Sequence, residues 1–123
     1  MKKIYTEKAP KAIGPYSQGV SFENLVFTSG QIPINPENGE IEKGSIEKQA
    51  TLAINNLKQV LLAAGSDIDK VLKTTCFITD MNEFAAFNAV YATFFTSCPA
   101  RSCIEVSALP KGVKVEIEAI AIK

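Results

Sequence analysis

The stretch VKVEIEAIAI, residues 113–122, alternates between apolar and mixed positions along its whole length. Successive side chains of a β-strand point to opposite faces, so this pattern predicts one strand with two different faces. One face is wholly apolar and carries Val113, Val115, Ile117, Ala119 and Ala121. The other is mixed and carries Lys114, Glu116, Glu118, Ile120 and Ile122. The apolar face is expected to lie under helices and form the core of the domain.

The mixed face is unusual for a surface that only meets water. Packing against another subunit would account for both of its halves, because Ile120 and Ile122 would bury apolar area while the charged side chains line a cleft. The alternative is a solvated sheet with two isolated isoleucines, and single exposed apolar residues are common. We favour the interface between subunits, although the pattern alone leaves both interpretations open.

The preceding predicted strand, about 101–108, begins with an arginine. Alternation puts Arg101, Cys103 and Glu105 on one face of this strand. We place that face on the mixed side of the sheet, where an unpaired guanidinium would be very costly if it were buried. Arg101 is therefore expected either to pair with a carboxylate or to receive an anionic ligand. The candidate carboxylates are Glu105, Glu116 and Glu118.

Further from these strands, SQGVSF and LVFTSG flank Glu23-Asn24 and predict a hairpin with a two-residue turn. PINPENGEI, with two prolines and Asn-Gly, is typical of a loop. Apolar residues then recur at helical spacing over SIEKQATLAINNLKQVLLAAG. Ser45 is the expected N-cap of this helix, and Gly65 is expected to end it.

The next segment, KVLKTTCFITD, predicts a strand with Leu72, Cys76 and Ile78 on one face. Asp80 and Glu83 have the spacing of a capping box before FAAFNAVYATFF, a second amphipathic helix with an aromatic face. The segment LPKG then predicts a turn between the last two strands.

The predicted order β-β-α-β-α-β-β contains no linker and no internal repeat. It indicates one domain over residues 1–123, which is a normal length for a single core. The expected fold class is α+β, with one mixed sheet and two helices packed on one of its faces.

Composition excludes several classes of function. Lys plus Arg equals Asp plus Glu at 13 each, so a nucleic-acid or anionic-membrane partner is not expected. No signal peptide is expected, because the start MKKIYTEKAPK lacks an apolar segment, and no apolar run is long enough to predict a membrane span. Its three cysteines lack metal-binding spacing and indicate reduced thiols in a cytoplasmic protein, with no metal site. It has no histidine, which excludes Ser–His–Asp and Cys–His catalysis within the chain.

Four motifs, in order along the chain, carry a family resemblance: AIGPYSQGV, SGQIP, PARSCIEV and LPKGVKVEIEAIA. From about Ala9 to Ile122 the chain resembles the reactive intermediate/imine deaminase family (Rid, formerly YjgF), and within it the RidA subgroup. The resemblance implies a chorismate-mutase-like fold assembled as a homotrimer, with ligand clefts between subunits. It also implies hydrolysis of 2-aminoacrylate, 2-aminocrotonate and their 2-imino tautomers to 2-keto acids and ammonia, without a cofactor.

The resemblance assigns the main chemical roles to three residues. Arg101 matches the arginine that binds the substrate carboxylate, and a planar guanidinium suits that task because it can form two parallel hydrogen bonds. Glu116 matches the position that holds the attacking water. Tyr16 matches a tyrosine that lines the cleft. Without the resemblance, Glu118 could replace Glu116, because both lie on one face of the strand.

Four further residues are expected at the substrate. Ser29 and Gly30 match a loop whose backbone approaches the ligand, and Asn88 is expected to be part of the cleft. Cys103 is expected to line the pocket, not to act as a nucleophile, since no histidine could activate it. The connection before Pro99 is only FFTSC. Members of the resembled family often have a longer one, so the shape of the pocket is expected to differ from theirs.

Two other functions compete with deaminase activity. A sensor could bind a 2-keto acid in the same cleft without catalysis, and in that case Glu116 would have no distinctive task. RNA cleavage, which is attributed to some relatives, is disfavoured by the balanced charge and by the absence of histidine.

Overall fold

The structure, a computed structural model, describes all 123 residues and is built on one six-stranded sheet. The strands are β1 Lys2–Ile4, β2 Gly19–Phe22, β3 Leu25–Thr28, β4 Val71–Ile78, β5 Ala100–Glu105 and β6 Val115–Ile122. The helices are α1 Ile46–Ala63 and α2 Phe84–Phe94, with short 3-10 helices at Ile68–Lys70, Met81–Glu83 and Pro110–Gly112. The sequence pattern did not predict β1, because three residues are too few to show an alternation.

The sheet has the order β1-β2-β3-β6-β4-β5. All neighbouring strands are antiparallel except β4 and β5, which are parallel, so the predicted mixed sheet is confirmed. The alternating strand β6 lies between β3 and β4. Its apolar face is buried, and residues of both helices share one core cluster with it, which confirms the predicted helices on one face.

Helix α1 begins and ends as its sequence predicts. The Ser45 hydroxyl accepts a hydrogen bond from the backbone N–H of Lys48 (3.3 Å), which satisfies one of the free donors of the first turn. After Ala64, Gly65 takes a left-handed conformation with φ of 82°, which glycine adopts without a steric penalty. The apolar stripe of the helix, including Ala53, Ile54 and Leu57, is fully buried.

The predicted face of β4 is wrong at one residue. Pairing between β4 and β6 slips between Val71 and Lys73, so Leu72 is the extra residue of a bulge and is 47% exposed. The buried face instead carries Val71, Thr74, Cys76 and Ile78. A bulge inverts the alternation on one side of itself, and no local pattern in KVLKTTCFITD announces it.

The second helix is confirmed, with Phe87 and Tyr91 buried along its aromatic face and Phe95, the residue after its end, also buried. The reciprocal capping box is wrong. The Asp80 side chain accepts a hydrogen bond from the N–H of Asn82 (2.9 Å) and caps the short 3-10 helix before α2. The side chain of Glu83 does not reach back and instead forms an ion pair with Lys114 at 3.2 Å. Neither α1 nor α2 has the length and apolar character that a membrane span requires.

Candidate active site

The residues expected at the site fall into two groups on opposite faces of the sheet. In β4, Thr74 lies beside Arg101 of β5 and beside Ala119 of β6, and residues in register share a face. Arg101 therefore points to the side that the helices cover. Glu116 lies beside Phe77 on the other side. The expectation that Arg101 faces Glu116 and Glu118 within one chain is therefore wrong.

The third candidate partner, Glu105, does not pair with Arg101 either. Its Oε1 accepts a hydrogen bond from the N–H of Met81 at 2.8 Å. The salt bridge between Lys114 and Glu83 is the only one in the chain, so no carboxylate neutralises the guanidinium. Arg101 is also the only arginine in the sequence.

Neutral groups of α2 hold the Arg101 guanidinium. Its Nη1 donates a hydrogen bond of 2.6 Å to Oδ1 of Asn88, so the Asn88 amide lies directly against this group. Its Cζ lies 4.6 Å from the ring centroid of Tyr91 and 5.5 Å from that of Phe84. A cation over an aromatic face is attracted by the ring quadrupole, and planar guanidinium groups are well suited to this contact. Most of the N–H donors of Arg101 remain free to bind an anion.

A cavity of about 640 Å³ adjoins this guanidinium. Its wall consists of Asn88, Tyr91, Ala92, Phe95, Thr96, Cys98, Pro99 and Arg101. The short connection after α2 contributes Cys98, which adopts a left-handed conformation with φ of 53°. The cavity therefore combines one positive charge with a mostly neutral lining, an arrangement that suits a small organic anion.

Cys103 lies two residues beyond Arg101 on the same face and is half-buried. Burial raises the pKa of its thiol above the ordinary value, although the charge of Arg101 acts in the opposite direction. A thiol with a raised pKa is protonated at neutral pH, and the thiolate is the nucleophilic form. Burial likewise raises the pKa of the Cys76 thiol to about 12. Neither cysteine is built as a nucleophile.

The second group lies on the far side of the sheet around the two glutamates of β6. Glu116 and Glu118 line a cavity of about 740 Å³ together with Tyr16, Ser29 and Gly30. Burial raises the pKa of Glu116, and the charge of Glu118 raises it further. A carboxylate whose pKa is moved upwards towards neutrality is a better proton acceptor than an ordinary one.

Gly30 has a clear structural reason to be glycine. The N–H of Gln31 donates to the carbonyl of Ile117 (2.8 Å), and the N–H of Ile117 donates to the carbonyl of Gln31 (3.0 Å). This bridge lays residue 30 directly against β6. A Cβ atom at position 30 would overlap Oε1 of Glu116, so the absence of a side chain leaves room for the carboxylate.

The two remaining predicted residues border the same cavity. The Ser29 hydroxyl donates to the carbonyl of Ser17 at 2.6 Å, which ties the loop to the segment before β2. Tyr16 is 54% exposed, and its hydroxyl accepts a hydrogen bond from the N–H of Ile13 at 3.3 Å. Its ring therefore stands at the mouth of the cavity.

Three residues of these groups are not predicted as part of the site by the sequence. The sequence pattern predicts Tyr91 and Phe84 only as part of the aromatic face of a helix, although their spacing from Asn88 puts all three on one side of α2. Lys111, which lines the glutamate cavity at φ of 60°, is predicted only as part of a turn. No group of three acidic or thiol side chains lies close enough together to hold a metal ion.

The chain resembles known proteins along nearly its whole length. Residues 6–123 match the family described as Endoribonuclease L-PSP. The chain is 51% identical to 2-iminobutanoate/2-iminopropanoate deaminase of Escherichia coli (strain K12), an alignment that covers 99% of this chain and 98% of that protein.

Solved structures agree with the sequence comparison. The crystal structure of E. coli TdcF with bound serine superposes with a TM-score of 0.96 at 50% identity, covering 100% of this chain and 99% of that chain. The YjgF gene product of E. coli gives a TM-score of 0.95 at 50% identity, with the same coverage. The whole fold, and not only a sheet-and-helix core, is therefore shared with these structures.

Proposed function

The chain belongs to the Endoribonuclease L-PSP family, which is the YjgF/Rid family that its motifs resemble, and we propose how its two groups of residues perform one reaction. The protein is an enzyme that hydrolyses reactive enamine and imine intermediates, the 2-imino forms of small amino acids, to 2-keto acids and ammonia. We also propose that it acts in the cytoplasm, where its three free cysteines would remain reduced.

The single observation that carries this proposal is the unneutralised guanidinium of Arg101. A 2-imino acid has a carboxylate next to its C=N bond. Arg101 can hold that carboxylate through two parallel hydrogen bonds, because only one of its donors is engaged by Asn88. The anchor fixes the imine carbon at a set distance from the guanidinium.

Glu116 supplies the base in this reaction. A water molecule held by its carboxylate attacks the imine carbon while the carboxylate takes one proton from the water. The new C–O bond gives a tetrahedral carbinolamine, whose nitrogen takes the electron pair of the former C=N bond and receives the proton held by Glu116. Glu116 then accepts the proton of the carbinolamine hydroxyl and passes it to the nitrogen. The C–N bond breaks, ammonia leaves, and the hydroxyl oxygen becomes the carbonyl oxygen of the 2-keto acid. An enamine first gains a proton at its β-carbon and loses one from its nitrogen, which gives the imine.

One chain cannot complete this site, since Arg101 and Glu116 lie on opposite faces of one sheet. We infer that the cleft forms between copies, with Arg101, Asn88 and Cys103 from one copy and Tyr16, Ser29, Gly30 and Glu116 from the next. Such a head-to-tail contact uses two different surfaces, and it closes into a ring when the rotation permits. We assign the ring three members, a homotrimer, as the family resemblance implies.

The outer face of the sheet supports this assembly. Leu25, Phe27 and Ile122 are 37%, 38% and 40% exposed in the isolated chain, and they are neighbours across β3 and β6. Together with Ile120 they form an apolar patch beside the glutamate cavity, and contiguous exposed patches of this kind mark interaction sites. A second copy is the occupant that would also bring an Arg101 to the cavity.

Two other functions make different predictions. A 2-keto-acid sensor would bind its ligand through Arg101 but would not need Glu116, whereas the identity to a named deaminase favours catalysis. RNA cleavage, which the family description mentions, would require phosphate contacts, and binding would then weaken steeply with salt. We expect RNA binding by this neutral chain to be negligible at every salt concentration.

The test generates 2-iminobutanoate in situ with an amino acid oxidase and traps the remaining imine with semicarbazide. The natural protein should lower the trapped signal, Arg101→Ala should not, and Arg101→Lys should also fail because it keeps the charge but loses the planar fork. An unchanged signal with the natural protein, combined with retained binding of 2-ketobutyrate, would replace the enzyme with the sensor.

A further inference from the structure

A threonine hydroxyl is buried in the core next to the arginine, where an apolar side chain would be the ordinary choice. Thr74 is fully buried, and its hydroxyl is 2.7 Å from the hydroxyl of Tyr91. Its other neighbour is the thiol of Cys76 at 3.9 Å, a weak donor. A buried polar group is costly unless it is hydrogen-bonded, so this hydroxyl makes sense as the partner of Tyr91.

Two contacts fix the ring of Tyr91. Its hydroxyl is held by Thr74, and its ring stacks on Phe95 with centroids 4.3 Å apart and planes inclined by 25°. Tyr91 is only 7% exposed, so neither contact competes strongly with water. A ring held at its edge and at its face has little rotational freedom.

This fixed ring lies against the guanidinium of Arg101, with Cζ 4.6 Å from the ring centroid. Thr74 is also the direct neighbour of Arg101 in the parallel pair of β4 and β5. The hydrogen bond therefore ties the ring to the strand adjacent to the one that carries the arginine. Helix α2 and the sheet are connected at the point where the anion would bind.

We propose that Tyr91, held in place by Thr74, is a positioning residue that sets the plane of the Arg101 guanidinium for the carboxylate of the imino acid. The proposal rests on the proposed function and adds two residues to it. Asn88 fixes one nitrogen of the guanidinium, while the ring fixes its plane, so that both hydrogen bonds to the carboxylate are ready before binding. An arginine without these supports would lose more rotamer freedom on binding, and its affinity for the anion would be lower.

Two conservative substitutions test this role. Tyr91→Phe keeps the ring but removes the hydroxyl, and Thr74→Val keeps the volume but removes the partner. Each should raise KM for the imine and Kd for 2-ketobutyrate by roughly three- to tenfold, which is the range of one lost hydrogen bond, with kcat nearly unchanged. The double variant should bind 2-ketobutyrate about as well as the single variant with the larger loss, since both changes break the same hydrogen bond.

Tyr91→Leu removes the ring as well, and it should raise the Kd for 2-ketobutyrate by more than about tenfold. Matched controls are Tyr5→Phe and Thr51→Val, which make the same chemical changes at exposed positions and should leave KM and Kd unchanged. Melting temperatures of all variants show which effects come from loss of fold.

Several results would overturn the positioning role. It fails if Tyr91→Phe and Thr74→Val lower the melting temperature but leave KM and Kd unchanged, or if their effects on Kd add in the double variant. It also fails if the loss is entirely in kcat. Failure of the proposed function is separate: the natural protein would then bind 2-ketobutyrate without hydrolysing imine, and the Kd values would still decide the role of Tyr91.

Discussion

The two faces of the sheet hold their charged groups in opposite ways. On the helix side, a cation is surrounded by neutral groups, namely the Asn88 amide and the rings of Tyr91 and Phe84. On the outer side, Glu116 lies beside a second carboxylate, Glu118, and against the backbone of Gly30. The first arrangement orders a guanidinium without neutralising it, whereas the second raises the affinity of a carboxylate for a proton.

This difference matches the division of work in imine hydrolysis. Binding a carboxylate needs a fixed charge that no internal partner has claimed, and an aromatic cradle meets that need better than an ion pair would. Activating water needs a group that accepts a proton readily, and burial next to a like charge raises the pKa of Glu116 in that direction. In the proposed mechanism, Arg101 is therefore the ordered anchor, and Glu116 is the base whose pKa is raised.

Glu116→Ala is expected to have the largest effect, and it should affect turnover without affecting binding. Glu116→Ala should lower kcat for imine hydrolysis by about 10²- to 10⁴-fold, because the water loses its base. Binding of 2-ketobutyrate, measured by calorimetry, should remain within a few-fold of the natural protein, because the anchor lies on the other face. Equal losses of turnover and binding would show that the two faces do not divide the work in this way.

A smaller effect is expected from Gly30→Ala. The added Cβ would overlap Oε1 of Glu116 and displace the carboxylate, so kcat should fall roughly 10- to 100-fold. Gly44→Ala is the matched control, since a Cβ there meets only the ends of the Glu42 and Lys48 side chains, which can move. If both variants retain full activity, the position of the Glu116 side chain does not depend on the space at residue 30.

The tuning of the base by its neighbour predicts a change in pH dependence. The base acts when ionised, so the rate falls as pH drops through the pKa of Glu116. Glu118→Gln removes a charge that raises this pKa, and the acidic limb of the kcat profile should move to lower pH. Glu47→Gln on the exposed side of α1 is the control, and its limb should not move. If the acidic limb of the kcat profile stays at the same pH in Glu118→Gln, the charge of Glu118 does not raise the pKa of the base.

The smallest effect is expected at the thiol beside the anchor. Cys103→Ser should keep kcat within about threefold of the natural protein, since a protonated thiol takes no covalent part in the reaction. Iodoacetamide at neutral pH should likewise leave the Cys103 side chain largely unmodified, as judged by mass spectrometry. Complete loss of activity in Cys103→Ser, with binding retained, would show that the helix side takes part in catalysis as well as in binding.

Much of the fold follows from local patterns in the sequence. The alternation in residues 113–122, the helix between Ser45 and Gly65 and the hairpin at Glu23-Asn24 each depend on neighbouring residues alone. Such patterns are readable because the period of a strand or helix repeats within a few residues. The family motifs indicate the candidate residues of the site, which remain a prediction.

Local patterns do not predict the register between strands, or which face of the sheet a given side chain lies on. Alternation shows that Arg101 and Cys103 share a face, but it does not show which face of the sheet that is, because the choice depends on the register with β4. The bulge at Leu72 is also a property of the pairing between β4 and β6. The contact of Gly30 with Glu116 joins residues far apart in the chain, through a bridge that no local pattern encodes.

The central claim is that the anchor and the base of each site come from different copies, and mixing two inactive variants tests it most directly. Arg101→Ala and Glu116→Ala are unfolded together in equal amounts, refolded and assayed for loss of trapped imine. Random mixing in a closed ring should give about a quarter of the sites an intact Arg101 and an intact Glu116, and a matching share of activity should return. A refolded mixture that contains both chains in one assembly yet shows no more activity than either variant would contradict the shared site.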